Sequence, residues 1–130
     1  GYQEILIGGQ KFQHLKGGKL SLRELADCPW ISHTSGSITR DFFNQYFQEH
    51  GLSFQPDIEL ATTDMILPAV RHNLGIGFIP AEFATEDLRQ GTVFEIAVEE
   101  KLPQRSIQLV YDTEYPQSVA SKTFLEFLFR

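Results

Sequence analysis

A chain of 130 residues with eleven basic and seventeen acidic side chains carries a net charge of −6, which argues against a surface that grips nucleic acid by itself, because phosphate binding needs a basic face. An apolar fraction of 42%, with 12% aromatic residues, is enough for one packed core and argues against disorder. No apolar run approaches the ~20 residues needed to span a bilayer, no secretory leader is visible, and the one cysteine, Cys28, lacks a partner for an internal disulfide, which favours a reducing, cytoplasmic setting.

Taken in order, residues 2–7 read as a strand with no turn or cap before it. A domain rarely begins inside a buried strand, so further sequence upstream is expected. Gly8-Gly9 closes the strand, and residues 10–19 are polar, with Gly17-Gly18 a loop. Ser21 is placed to cap a short helix over 22–26, with Glu24 three residues on as its capping-box partner. After Pro29, Trp30-Ile31-Ser32 reads as the next strand. His33-Thr34-Ser35-Gly36-Ser37 is then a polar turn before a helix whose apolar stripe is Ile38, Phe42, Phe43, Tyr46 and Phe47, ended by Gly51.

Residues 57–80 read as strand, turn, helix, turn, strand. Ile58, Leu60 and Ala61 form a short apolar run, and Thr62-Thr63 offers hydroxyls to the open amides of a first helical turn. Asp64 places negative charge at the positive end of the helix dipole. Ile66, Ala69, Val70 and Leu74 recur on one helical face, and Gly75 is a stop signal. Pro68 falls about a turn inside, where it removes an amide, so this helix either starts late or bends. Ile76-Gly77-Phe78-Ile79 is an extended run closed by Pro80. A helix between two short buried strands implies parallel strands joined by a right-handed crossover.

The remainder continues the alternation. Residues 81–90 form a third helix stopped by Gly91, Phe94, Ile96 and Val98 alternate with Glu95 and Glu99, and residues 101–104 make a turn. A strand over 106–111 and a last helix from Ser118, with Ala120, Phe124, Phe127 and Leu128 inward, complete the order. The class is α/β: a Rossmann-like open, mostly parallel sheet flanked by helices.

In such sheets, ligands gather at the carboxyl ends of strands beside helix amino-termini. Ser35, Ser37, Thr62 and Thr63 fall in two turns of that kind, which the topology puts on one edge, around a cavity suited to a carboxylate or another acceptor-rich ligand. The plainer reading is that these hydroxyls cap their own helices; a hydroxyl can do both. Other chemistry has little support. His14, His33, His50 and His72 show no metal-ligand spacing. Cys28 has no nearby histidine to activate it. Gly75-Ile76-Gly77 precedes a strand and so is no dinucleotide fingerprint. Glu82, Glu86 and Asp87 read as a solvated helix face. Arg40 opposes the dipole of its helix and needs a mate, either a carboxylate such as Asp41 or Asp64 or an anionic ligand.

Thr39-Arg40-Asp41-Phe42, His50-Gly51-Leu52, Pro56-Asp57-Ile58-Glu59, Ile66-Leu67-Pro68-Ala69-Val70 and above all Leu74-Gly75-Ile76-Gly77-Phe78-Ile79-Pro80, with Asn73 where a glycine is usual, resemble the effector-binding domain of LysR-type transcriptional regulators. The order and spacing of these pieces carry the likeness, which covers nearly the whole chain. The resemblance implies a lobe of the type II periplasmic-binding-protein kind, with an effector cleft between two such lobes. It implies that residues 21–103 are subdomain II, that 1–20 and 104–130 are crossover strands and the remainder of subdomain I, and that the winged helix-turn-helix lies outside this chain.

The resemblance also implies a function without catalysis, cofactor or metal: sensing of a small polar or anionic metabolite. The family's second-lobe contacts carry over onto His33, Thr34, Ser35, Ser37, Thr62 and Thr63, with Ile79 and Pro80 as a wall. Members pair into dimers and tetramers through these domains and meet DNA through the separate reading head; no membrane is involved. The alternative, a solute-binding lobe of a transport-type protein, shares the architecture without the DNA partner.

Overall fold

The computed structural model describes residues 3–103; the strand over 106–111 and the helix from Ser118 lie outside the described residues. Five strands form one sheet in the order β3-β2-β4-β1-β5, comprising β1 (Glu4–Gly9), β2 (Trp30–His33), β3 (Ile58–Leu60), β4 (Ile76–Pro80) and β5 (Val93–Ile96). β2 pairs in parallel with both β3 and β4, while β1 runs antiparallel between β4 and β5. Helix α2 (Thr63–Arg71) makes the crossover from β3 to β4, as the apolar spacing predicts.

Alternation along the strands sorts the core into two layers. Leu6, Trp30, Ile76, Phe78, Phe94 and Ile96 face one side, where α1 (Ile38–Glu49) adds Phe43, Tyr46 and Phe47. That layer is aromatic. Trp30 meets Phe47 and Phe54 edge-on at 5.4 and 5.6 Å, and Phe43 stacks on Phe78 at 4.8 Å between ring centres. Ile5, Ile7, Ile31, Ile79 and Val93 face the other side, covered by Ile66 and Val70 of α2. Each such side chain contributes about 1.5–3 kcal/mol by leaving water. Because both faces are covered, Val93 and Phe94 are adjacent yet both buried, and only Glu95 of β5 is exposed.

Several details depart from the sequence reading. The Ser21–Glu24 capping box is made, with Ser21 N donating to Glu24 Oε2 at 2.7 Å and Glu24 N to Ser21 Oγ at 3.2 Å, but residues 22–27 form turns rather than a helix. Residues 81–90 split into a 3-10 turn (Ala81–Ala84) and a short helix α3 (Thr85–Gln90), with Gly91 left-handed at φ 79°. Ile38 and Leu74 are 49% and 53% exposed rather than inward, since one begins its helix and the other follows the last turn of its own. α2 runs through Pro68, which is exposed and costs the helix only the amide it lacks.

Termination of α2 falls to Asn73, not to Gly75. Asn73 takes φ 66°, a conformation its short polar side chain tolerates, which is why it can replace a glycine here. Its Oδ1 then accepts from Lys11 N at 2.9 Å. Gly75 serves a different need: a Cβ there would lie 2.7 Å from the carbonyl oxygen of Pro29.

Candidate functional site

The parallel register of β2 and β3, with Ser32 opposite Glu59 and His33 opposite Leu60, brings the two strand-to-helix turns to one edge. Thr34 N donates to Leu60 O at 3.0 Å and ties the turns together at their base. Beneath them, His33 Nε2 and Thr63 Oγ1 share a hydrogen bond of 2.9 Å, with both residues buried.

The first turn is internally bonded. Ser37 is the N-cap of α1: its Oγ accepts from Arg40 N at 3.1 Å and donates to Thr34 O at 3.0 Å, so both functions of that hydroxyl are used. Arg40 is buried. Its Nη1 donates to His33 O at 3.1 Å, its Nε donates to Asn44 Oδ1 at 3.0 Å, and its guanidinium lies 5.5 Å from the centre of the Phe54 ring. Among the described residues, the carboxylate paired with it is Glu59, at 3.6 Å, and neither Asp41 nor Asp64. Glu59 also accepts from Ser35 N at 3.2 Å through its other oxygen.

The second turn is open. Thr62 occupies the N-cap position of α2 in extended geometry, but its side chain makes no capping bond. Asp64 is exposed in the first helical turn. Of the predicted residues, then, His33, Thr34, Ser35, Ser37, Thr62 and Thr63 come together at one rim. Among the described residues, nothing hydrogen-bonds to the hydroxyls of Thr34, Ser35 or Thr62, and all three are exposed or half-buried. Ile79 sits in the aliphatic core with no exposed surface, and Pro80 ends the neighbouring β4, buried opposite Glu4 of β1.

Two features of this edge were not anticipated. One is the Glu59–Ser35–Arg40 arrangement. The other is a cavity of about 790 Å³ further along the edge, above the aromatic layer, lined by Glu4, Leu6, Tyr46, Phe78, Ile96 and Leu102 among others. None of the eight predicted residues lines it. Tyr46 Oη donates to Glu100 O at 2.6 Å across its floor, and burial together with the charge of Glu100 pushes the phenol pKa upward. Tyr46 is recognisable in the helical stripe, but only as core. Cys28 lies on the opposite edge, where burial and Asp27 raise its thiol pKa and hold back the thiolate. Among the described residues, no three metal-ligating side chains cluster, and no helix is long and apolar enough to cross a membrane.

A mixed α/β sheet with hydroxyls at the carboxyl ends of its parallel strands β2 and β3 has the architecture of a Rossmann-like ligand-binding lobe. Residues 11–130 match the LysR substrate binding domain, and the chain belongs to that family. It is 29% identical over 124 residues to the HTH-type transcriptional regulator YeiE of Escherichia coli K12, covering 95% of this chain and 42% of that protein. It is 27% identical to the HTH-type transcriptional activator CmpR of Synechocystis, covering 96% and 41%. The chain thus spans about two fifths of the length of these curated relatives. The fold is that of the CcmR regulatory domain of Synechocystis in complex with 2-PG (TM-score 0.69, 18% identity, 99% of this chain and 65% of that one). It is likewise that of the effector binding domain of QuiR in complex with shikimate (TM-score 0.65, 18% identity, 99% and 60%).

Proposed function

We propose that this chain is the effector-sensing part of a cytoplasmic LysR-type transcriptional regulator, acting without catalysis and controlling transcription through a winged helix-turn-helix outside the chain. Residues 21–103 would be the second effector lobe, and residues 1–20 and 104–130 the crossovers and the remainder of the first. The reading is supported above all by the three hydroxyls of Thr34, Ser35 and Thr62, exposed or half-buried on one rim with no hydrogen bond among the described residues. They offer donors and acceptors to a small polar or anionic metabolite. Ser37, Thr63 and His33 hold the rim in shape, Pro80 closes its neighbouring side, and Ile79 supports that side from the core.

The regulatory relatives favour this reading over a transport-type lobe, and the neighbours in complex with 2-PG and shikimate support a small-molecule ligand. Assembly as a homodimer or homotetramer would let an effector act at a distance. Binding one arrangement of lobes or subunits more tightly than another shifts their populations by that difference in affinity.

The test is a thermal-shift and calorimetric screen of the full-length regulator against hydroxy acids and sugar acids, shikimate and 2-PG included, followed by Thr62→Ala and Ser35→Ala on any hit. The expected result is loss of binding with little change in melting temperature. Variants that bind as the parent does would show that these two hydroxyls take no part in recognition.

A further inference from the structure

The donors of the first turn are already engaged by a carboxylate of the chain itself. Glu59 Oε1 accepts from Ser35 N at 3.2 Å, and Glu59 Oε2 lies 3.6 Å from Arg40 Nη1. These are the backbone amide and the cation that an incoming anion would use at this turn. The guanidinium is fixed: its side chain is 10% exposed and is held by His33 O and Asn44 Oδ1. Glu59 is not fixed to the same degree. Its side chain is 43% exposed and presents its charge at the rim beside the open hydroxyls of Thr34 and Ser35. Asp41 and Asp64, in the first turns of the two helices, are exposed and add charge of the same sign.

We infer that Glu59 is a resident counter-anion that filters ligands by charge: the part of a ligand that docks on this lobe is uncharged and hydroxyl-bearing, and any carboxylate or phosphate it carries points away from the Ser35 turn. This deepens the sensor reading and rests on it for the word ligand, but the physical claim concerns only the turn. An anion approaching Ser35 meets an occupied amide and a like charge within a few ångströms, each of which weakens its binding. Removing the carboxylate vacates the amide and takes from Arg40 the counter-charge of Glu59.

Inorganic phosphate is the probe, followed by amide chemical shifts of Thr34, Ser35 and Arg40 in the isotopically labelled chain near neutral pH. The wild-type chain is expected to show no saturable change at these amides up to about 20 mM phosphate, whereas Glu59→Ala binds at least about tenfold more tightly, a difference of roughly 1.4 kcal/mol. Glu59→Gln, which keeps an acceptor for Ser35 N but loses the charge, should fall between the two. If Glu59→Ala loses spectral dispersion, Glu59→Gln against wild type carries the comparison alone. Equal phosphate affinity in wild type and variants, or no binding to any of them, overturns the inference. The sensor reading stands or falls separately, on the metabolite screen, because phosphate reports the charge at the turn whether or not the rim takes an effector.

Discussion

The turns that follow β2 and β3 look alike in sequence, each a strand, then two or three hydroxyl residues, then a helix, yet they are bonded in opposite ways. After β2, Ser37 caps its helix and Ser35 N is held by Glu59, with Arg40 drawn in beneath. After β3, Thr62 stands at the cap position but its side chain makes no capping bond, while Thr63 turns inward to His33. The lesson is that a serine or threonine before a helix does not by itself declare its task. Where a hydroxyl at the cap position leaves its own helix end uncapped, the helix forgoes about 1 kcal/mol that a capping bond would supply, and that geometry leaves it available to a ligand.

The comparison can be broken from below or sharpened at the rim. Arg40→Ala should have the largest effect, about 2–3 kcal/mol of destabilisation by chemical unfolding, because it strips a buried donor from His33 O and Asn44 and leaves Glu59 uncompensated. Thr63→Val keeps the shape but removes the partner of His33 Nε2, and should cost about 2 kcal/mol in the same measurement, the scale of a buried polar group left unsatisfied. A loss as small as that of a surface substitution would show that the two turns are not coupled through that bond.

A control lies at the far end of α2. Asp87 accepts from Arg71 through both oxygens, at 2.6 and 3.0 Å, and from Thr92 Oγ1 at 2.6 Å. The hydrogen bonds from Arg71 lead in holding its carboxyl below the ordinary aspartate range, against the opposing effect of burial. A depressed folded-state pKa contributes stability that is present above the unfolded value of about 3.9 and is lost as pH falls through the lower folded value. Asp87→Asn should therefore cost about 1–2 kcal/mol near neutral pH and less below pH ~4, without altering ligand binding at the rim. Ser37→Ala should cost about 1 kcal/mol as a lost cap. Thr62→Ala should change stability least, by under about 0.5 kcal/mol, as a half-buried side chain whose hydroxyl makes no bond among the described residues.

The sequence carried the strand–helix–strand unit through β3, α2 and β4 because its apolar spacing is dense and its turns are short. It also placed the six polar candidates on one edge, since parallel neighbours must end together. What it could not show depended on register. Glu59 alternates with Ile58 and Leu60 and reads as plain surface charge; only the pairing of Ser32 with Glu59 brings it to the Ser35 turn. For the same reason the sequence offers Arg40 the first-turn aspartates Asp41 and Asp64 as mates, and not Glu59 of β3. Asn73 hides its role because Gly75 reads as the stop signal, whereas that glycine answers to the close approach of Pro29. The large cavity by Glu4 and Tyr46 was invisible because its walls come from β1, α1 and β5 together with the loop after β5.

The central claim is that the unbonded hydroxyls of the rim face a ligand while the bonded ones hold the fold. It is tested most directly by measuring, for one effector found in the metabolite screen, its affinity for Thr62→Ala and Ser37→Ala side by side with their unfolding free energies. The account predicts that Thr62→Ala loses at least about tenfold in affinity with stability nearly unchanged, and that Ser37→Ala loses about 1 kcal/mol of stability with a smaller loss of affinity. The reverse pattern, with Thr62→Ala unstable but binding normally, would contradict it.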